Sequence, residues 1–246
     1  MATNSTEIKK LRKRILANSR KSFRRLFYGE QLIKMQALTL KDYIQENIDN
    51  TKEKQKTLNV ELEEAINQEE DDEYRHHLQD LFLDENLKYY DEYPKFFTDA
   101  SLVILYSFFE YNLHRICKLT QADLNANGKN NIRAFSEKPY VGNSKMFLEK
   151  ECNIKLSGKE NLWKKIDKIR DYRNFITHNN SSLALCNDKV AKRATIVYIN
   201  RVFKKPIEID HLNQCHIKKM EWLLEVWDIL YEYLLFVISK ARKKSR

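Results

Sequence analysis

The sequence predicts a mainly α-helical protein with one short β-hairpin. Only 4 Gly and 3 Pro occur among 246 residues, so tight turns are rare. Hydrophobic residues make up 42% of the chain and charged residues 32%, a combination typical of long amphipathic helices. Aromatic residues, at 11%, are sufficient for a packed core, and we therefore expect disorder only at the two ends.

The first 94 residues are expected to form an N-terminal helical arm. Residues 7 to about 50 carry an intermittent apolar face, and residues 51–92 continue as helix with a thin leucine seam. Residues 1–30 hold nine Lys or Arg against two acids, whereas residues 61–73 hold eight acids and no base. This opposition predicts a long helical hairpin or coiled-coil-like arm, with its basic first limb facing its acidic second limb. Pro94 predicts a break or kink at its end.

Residues 95–246 are expected to form the main helical domain. Residues 98–122 are the most apolar segment of the first half and predict a central buried helix capped by Thr98 or Asp99. Gly, Asn and Pro collect in residues 125–145, which predicts a loop, and a short helix is expected near 143–152. A further helix is predicted from about residue 159 to 178, ended by the Asn and Ser residues at 179–182.

The last quarter of the chain predicts the hairpin and a final helix. Residues 195–199 and 206–209 are rich in β-branched and apolar side chains, so a small β-hairpin is expected near 195–209. Residues 211 to about 242 predict a helix that is apolar on most sides and lies in the core or at an interface.

Several classes of protein are disfavoured by composition. The four cysteines lie far apart without a CxxC pair, which is typical of reduced thiols in a cytoplasmic protein and indicates no zinc site. No secretory signal is visible at the N-terminus, and acids interrupt the apolar run at 222–239, so no membrane span is expected. No cofactor site is predicted. The basic ends of the chain could contact phosphates, although a solvated helix face explains them equally well.

Arg173 stands out on the helix predicted for 159–178. At about 100° per residue, it falls among the apolar positions Leu162, Ile166, Ile169 and Ile176. An unpaired charge in such a stripe costs several kcal/mol, so a role for the arginine is expected. A planar guanidinium is suited to binding a phosphate.

Asn174 and His178 are four residues apart and share one helix face, where the amide could hold the imidazole in one orientation. His178 lies where the helix ends, and its ordinary pKa suits proton transfer near neutral pH. An arginine and a histidine without metal ligands are what metal-free RNA cleavage requires: the base deprotonates the ribose 2′-OH while the cation stabilises charge on the phosphate. One helix offers a single histidine, so a two-fold dimer would be needed to supply both acid and base.

These residues resemble the HEPN superfamily. The resemblance rests on R-N-x-x-x-H at residues 173–178 and on an apolar-F-E-x-x-L pattern around Glu110 in the preceding central helix, and it covers roughly residues 96–240. Members are small helical bundles with an R-x4–6-H motif. Many are metal-independent endoribonucleases with an active site built across a homodimer, found in toxin–antitoxin, abortive-infection and antiviral defence systems.

The resemblance implies roles for individual residues. Arg173 and His178 would be the catalytic pair, Asn174 the polar neighbour, and Glu110 the helix acid that pairs with Arg173. RNA would be the substrate, and an antitoxin or another defence-system protein a partner. In one subfamily a tyrosine two residues after the histidine marks modification by the partner; here Asn180 occupies that position, so this regulation is not implied.

Other interpretations of the same residues remain open. Arg173 could form a structural salt bridge with Glu110, and His178 could cap the end of its helix. At the level of the whole protein, the alternatives are a catalytically inactive HEPN-like module that binds RNA or a protein, and a purely structural helical scaffold.

Overall fold

Helices account for most of the chain, which confirms the predicted mainly α-helical class. The computed structural model describes residues 25–126 and 141–245, and the predictions for residues 1–24 and most of the 125–145 loop lie outside this part. The described elements, in chain order, are α1 (Arg25–Gln68), α2 (Asp72–Asn86), a π-helical segment (Leu87–Glu92), α3 (Tyr93–Ala126), α4 (Val141–Met146), a second π-helical segment (Phe147–Glu151), α5 (Glu160–Asn179), α6 (Lys189–Val202), β1 (Ile207–Ile209), β2 (Cys215–Ile217) and α7 (Trp222–Ser245).

The helices α1 and α2 form a helical hairpin. The helix α1 runs for 44 residues, and the chain turns at residues 69–71. The Asp71 side chain then caps α2 by accepting from the backbone N–H groups of Glu73 and Tyr74. On the return, Tyr90 donates its hydroxyl hydrogen to the carbonyl of Gln55 (2.9 Å), which joins the two limbs.

Near Pro94, where a break or kink is predicted, the chain changes from a π-helical segment to an α-helix. The π-helical segment Leu87–Glu92 leads directly into α3, and Pro94 lies in the first turn of α3, where its missing N–H is tolerated. The predicted caps are wrong, since Thr98 and Asp99 both lie within α3. The hydroxyl of Thr98 donates to the Lys95 carbonyl at 3.1 Å.

The chain divides into two compact units. The first comprises the described residues among 1–41, 105–167 and 227–246; the second comprises Asp42–Ile104 and Lys168–Val226. Each unit takes residues from both sides of residue 94, and the division into an N-terminal arm and a main helical domain stays a prediction.

The core of the first unit is built on α1, α3 and α7. Trp227 donates its indole N–H to the carbonyl of Ala37 at 2.9 Å, and Lys41 lies 4.3 Å from the Trp227 ring centroid. A side chain at Gly29 would collide with Leu119, so glycine permits the close approach of α1 to α3. The buried side chains include Leu26, Ile33, Leu105, Phe109, Leu113, Ile116, Leu230, Tyr233, Leu234 and Val237.

The core of the second unit is organised around Trp222. Its ring lies edge-on to Tyr172 of α5 (6.0 Å between centroids) and to Phe203, which follows α6 (5.7 Å). Apolar side chains from six elements are buried with it: Ile44, Ile48, Leu58, Phe97, Leu102, Ile169, Phe175, Ile196, Ile199, Ile207 and Ile217.

The β-hairpin is confirmed, and the run predicted at 206–209 contains its first strand, but the strand predicted at 195–199 is wrong. Residues 195–199 lie in α6, and β1 pairs antiparallel with β2 in the register Ile207↔Ile217, Glu208↔His216 and Ile209↔Cys215. The prediction of helix from residue 211 is therefore also wrong, because residues 215–217 form the second strand and α7 begins at Trp222.

None of the helices in the described residues combines the length and apolar character needed to cross a membrane.

Candidate active site

The predicted motif lies on α5, whose bounds, Glu160–Asn179, match the helix predicted from the sequence. Arg173 and Asn174 are half-buried, and His178 is exposed in the last turn. The Arg173 guanidinium donates through Nη1 to the amide oxygen of Asn174 at 3.1 Å. This contact uses one acceptor position of the amide oxygen, and the contact of the Asn174 amide with the His178 imidazole stays a prediction.

The buried face of α5 is rotated relative to the predicted stripe. Ile166, Ile169, Tyr172 and Phe175 are buried, whereas Arg173 is only half-buried. The arginine therefore lies at the edge of the apolar face, with the Nε atom of its guanidinium buried.

Glu110, the predicted partner of Arg173, is half-buried on α3. It belongs to the first unit and Arg173 to the second. Its role as the acid that pairs with Arg173 stays a prediction.

The turn that follows His178 has an unusual backbone. Asn180 and Ser181 both have positive φ values, +47° and +57°, a left-handed conformation that costs non-glycine residues roughly 1–2 kcal/mol each. The backbone N–H of Ser182 donates to the Asn179 carbonyl at 2.8 Å, and the Asn179 side chain donates to the carbonyl of Leu185 at 3.0 Å. These bonds hold the end of α5 in one conformation.

A carboxylate on α3 also holds this turn, and the sequence analysis missed it. The Ser181 hydroxyl donates to Oδ2 of Asp99 at 2.8 Å. The other carboxylate oxygen of Asp99 is buried and accepts no hydrogen bond from a described residue. Burial raises the pKa of Asp99, an effect only partly offset by the Ser181 hydrogen bond and by the nearby positive charges of Lys95 and His216.

The β-hairpin is also hydrogen-bonded to the turn that follows His178. The N–H of Cys215 donates to the Ser181 carbonyl (2.8 Å), and the N–H of Leu183 donates to the Asn213 carbonyl (2.9 Å). Asp210 organises this end of the hairpin: it bonds the His216 imidazole at 2.8 Å, a contact that lowers the Asp210 pKa. The segment after His178 is thus tied to α3 and to the β-hairpin.

α6 lies beside α5 near the motif. The Lys192 ammonium donates to the backbone carbonyl of Asp171 at 3.3 Å, two residues before Arg173. The sequence analysis did not predict α6, because residues 195–199 resemble a strand. The residue that could have indicated α6 is Asp188, which caps the helix by accepting from the backbone N–H of Ala191.

A separate pocket of about 300 Å³ lies against the hairpin in the second unit, lined by Lys52, Tyr90, Lys95, His216, Lys218 and Glu221 among others. Lys52 pairs with Glu221, and Lys218 pairs with Asp91 at 3.1 Å. Because these pairs offset one another, the pocket has little net charge with which to select a ligand.

No metal centre is formed by the described residues: they contain no group of three or more His, Cys, Asp or Glu side chains placed to hold an ion. The buried thiols are not arranged as nucleophiles either, because burial raises the pKa of Cys152 and Cys215 to about 12.

Comparison with protein-family models, with curated proteins and with solved structures finds no match for this chain.

Proposed function

We propose that the protein is a metal-independent endoribonuclease of the HEPN type, acting in the cytoplasm in a toxin or antiviral defence system. The observation that carries the proposal is the end of α5, where an exposed His178 follows one turn after the hydrogen-bonded pair of Arg173 and Asn174. An exposed imidazole five residues after a half-buried arginine provides a base and a cation in the last turns of one helix.

In the proposed reaction His178 accepts the proton of a ribose 2′-OH, and the 2′-oxygen attacks the adjacent phosphorus. The bond from phosphorus to the 5′-oxygen of the next nucleotide breaks, and that oxygen takes a proton from an acid. The products are a 2′,3′-cyclic phosphate and a 5′-hydroxyl, so atoms balance without added water or metal. Arg173 stabilises the charge that develops on the phosphate oxygens, with Asn174 orienting it. Glu110 would pair with Arg173.

The acid in this scheme comes from a second protomer. Each chain contributes one His178, and a two-fold axis beside the end of α5 would bring two histidines and two arginines into one cleft. The turn after His178 is hydrogen-bonded to α3 and to the β-hairpin, which holds the end of α5 in one conformation. This supports a composite site, because the residues that each protomer contributes must be held in place before the two protomers associate.

Cleavage of an oligoribonucleotide in EDTA tests the proposal. We expect cleavage by the wild type and a loss of about 10²- to 10⁴-fold in His178→Ala, the usual contribution of a general acid or base. His211→Ala is the matched control, since His211 is also exposed in the second unit but lies outside the motif. Undiminished cleavage by His178→Ala would remove this residue from the mechanism.

Mixing Arg173→Ala chains with His178→Ala chains tests the composite site separately. Because the scheme takes its base and its acid from the two His178 side chains, a mixed dimer has one histidine and lacks one of these two groups, so activity should stay low after subunit exchange. Recovery of activity in the mixed dimers would show that one arginine and one histidine are sufficient and would contradict the two-histidine scheme.

The alternative is a catalytically inactive HEPN-like module that binds RNA or a protein partner such as an antitoxin. It is favoured by the half-burial of Arg173 and by its bond to Asn174, which also suit a structural arginine. This alternative predicts RNA binding without cleavage in the same assay. The genes adjacent to this one would indicate the partner, because toxin and defence systems are encoded together.

A further inference from the structure

The outer face of α6 combines high exposure with positive charge. Its buried side consists of Thr195, Ile196 and Ile199. On the opposite side, positions three or four residues apart form one exposed stripe: Val190, Arg193, Ala194, Val197 and Arg201. Val190 is 80% exposed and Val197 is 65% exposed. Two exposed valines thus lie beside the exposed arginines along one side of α6.

The charge of this region is strongly one-sided. Residues 189–205 contain six Lys or Arg and no Asp or Glu. Over residues 168–205, which include the end of α5, nine Lys or Arg stand against two Asp, whereas the whole chain has a net charge of +9. Residues 168–205 therefore carry a net charge of +7 (nine minus two), as large as that of residues 1–30.

We propose that this surface, the basic face (Lys189, Arg193, Arg201, Lys204 and Lys205), binds the phosphate backbone of single-stranded RNA and holds the strand beside the end of α5. The inference rests on the proposed function insofar as it takes RNA as the ligand. It goes beyond that function by assigning substrate binding to residues outside the R-x4-H motif.

The two arginines of the basic face keep their charge available. Arg193 donates to the side-chain oxygen of Asn213 at 3.0 Å, a neutral partner that orients the guanidinium without cancelling its charge. Arg201 lies 5.8 Å from the ring centroid of Tyr198. Neither arginine forms an ion pair with a carboxylate of the described residues, so both can bind phosphates.

The basic face is joined to the candidate active site by direct contacts within the second unit. The bond from Lys192 to the Asp171 carbonyl attaches α6 to α5 next to Arg173. On the other side, Asn213, the partner of Arg193, accepts through its backbone carbonyl from Leu183, shortly after His178. The exposed stripe from Val190 to Arg201 is about 17 Å long at the helical rise per residue, enough to contact several successive phosphates.

A second copy of this chain is a poorer occupant of the same face. A two-fold contact of α6 with α6 would place like-charged surfaces against each other, because residues 189–205 offer no acid to either side. A polyanion complements this charge, and the exposed valines can contact sugar and base edges between the phosphates.

The salt dependence of RNA binding tests the inference. In a His178→Ala background and in EDTA, fluorescence anisotropy would follow a 5′-labelled single-stranded oligoribonucleotide from about 50 to about 200 mM KCl. We expect Arg193→Gln/Arg201→Gln to weaken binding at every salt concentration. The slope of log K against log[salt] should become shallower by about 1.4, since each lost contact to a single strand removes about 0.7.

Lys54→Gln/Lys56→Gln is the matched control. It removes the same charge from exposed positions on α1 in the same unit, so an effect of net charge alone would appear in both variants. If Arg193→Gln/Arg201→Gln fails to fold, Lys189→Gln/Lys205→Gln tests the same face, with the same expected change of slope.

Two results would overturn the inference. One is a salt slope of the basic-face variants equal to that of the control. The other is loss of self-association in sedimentation with RNA affinity intact, which would make α6 a contact between copies. The test of the basic face can fail independently of the proposed function. If the wild type binds RNA through α6 but does not cleave it, only the nuclease proposal is contradicted. If the wild type cleaves RNA but the basic-face variants keep the wild-type salt slope, only the RNA-binding role of the basic face is contradicted.

Discussion

Replacing Ser181 by Ala should destabilise the protein much more than its small size suggests. The hydroxyl of Ser181 is the hydrogen-bond donor to Asp99, whose other carboxylate oxygen accepts none from a described residue. Ser181→Ala therefore leaves a buried carboxylate without either bond. Hydrogen bonds to charged groups contribute about 1.5–3 kcal/mol, and we expect a loss of about 2–3 kcal/mol near neutral pH. For a chain of this length that corresponds to a fall in Tm of about 4–12 °C.

The size of the loss should depend on pH. Because Ser181 is the largest influence that lowers the pKa of Asp99, the variant carries a carboxyl group with a still higher pKa. Near pH 3.5 the carboxyl group is protonated in both proteins, and a bond between neutral groups contributes only about 0.5–1.5 kcal/mol. The difference in unfolding free energy between wild type and variant is thus expected to shrink on acidification.

Urea unfolding followed by circular dichroism at the two pH values measures both effects. Ser182→Ala is the matched control: Ser182 is the buried neighbour of Ser181, and its hydroxyl makes no hydrogen bond to a described residue. A loss below about 0.5 kcal/mol for Ser181→Ala near neutral pH, or an equal loss for Ser182→Ala, would show that the bond from Ser181 to Asp99 does not stabilise the fold.

Three further predictions concern the start of the hairpin, the Asp99 carboxyl group and two buried thiols. Asn200→Ala should cost about 2 kcal/mol in urea unfolding, because the Asn200 side chain bonds both the carbonyl (2.7 Å) and the N–H (2.9 Å) of Ile207 where the hairpin begins. Burial raises the pKa of Asp99, so at pH values between the ordinary pKa and the raised pKa the folded state holds a proton that the unfolded state has lost. The unfolding free energy of the wild type should therefore fall as the pH rises through this range. Asp99→Asn should lack this fall, which urea unfolding at several pH values would measure. Cys152 and Cys215, whose pKa values are raised to about 12, should react with iodoacetamide near pH 8 only after denaturation, as mass spectrometry can establish.

The motif helix was predictable because its signals are local. Apolar residues recur at helical spacing from Ile166, and the Asn and Ser residues at 179–182 predict its end, so the bounds agree within one residue with Glu160–Asn179. The exposure of His178 in the last turn follows from the same end signal. The sequence predicts Arg173 within the buried stripe of the helix. In the structure Tyr172 and Phe175 complete the buried face instead, and Arg173 is half-buried.

The strand predicted at 195–199 is wrong because β-propensity is a weak local preference. The β-branched run at 195–199 forms helix, since Asp188 caps α6 and Thr195, Ile196 and Ile199 fall on one buried face. The strand Cys215–Ile217 was read as helix, although the Asp210 side chain accepts from the N–H groups of Leu212 and Gln214 and so marks a turn there.

The role of Asp99 could not be predicted from the sequence. Its partner Ser181 lies 82 residues further along the chain, and the contact depends on the packing of α3 against the segment after α5. Locally, Asp99 precedes an apolar run and resembles a helix cap. A tertiary hydrogen bond of this kind leaves no periodic pattern in one sequence.

We propose that the exposed end of α5 carries out metal-independent RNA cleavage. The most direct test is the initial rate of oligoribonucleotide cleavage in EDTA by wild type and by His178→Ala, with the product ends identified by mass spectrometry. We expect 2′,3′-cyclic phosphate and 5′-hydroxyl ends from the wild type and a rate about 10²- to 10⁴-fold lower for the variant. Equal rates for the two proteins, or no cleavage by a wild type that binds the RNA, would contradict the proposal.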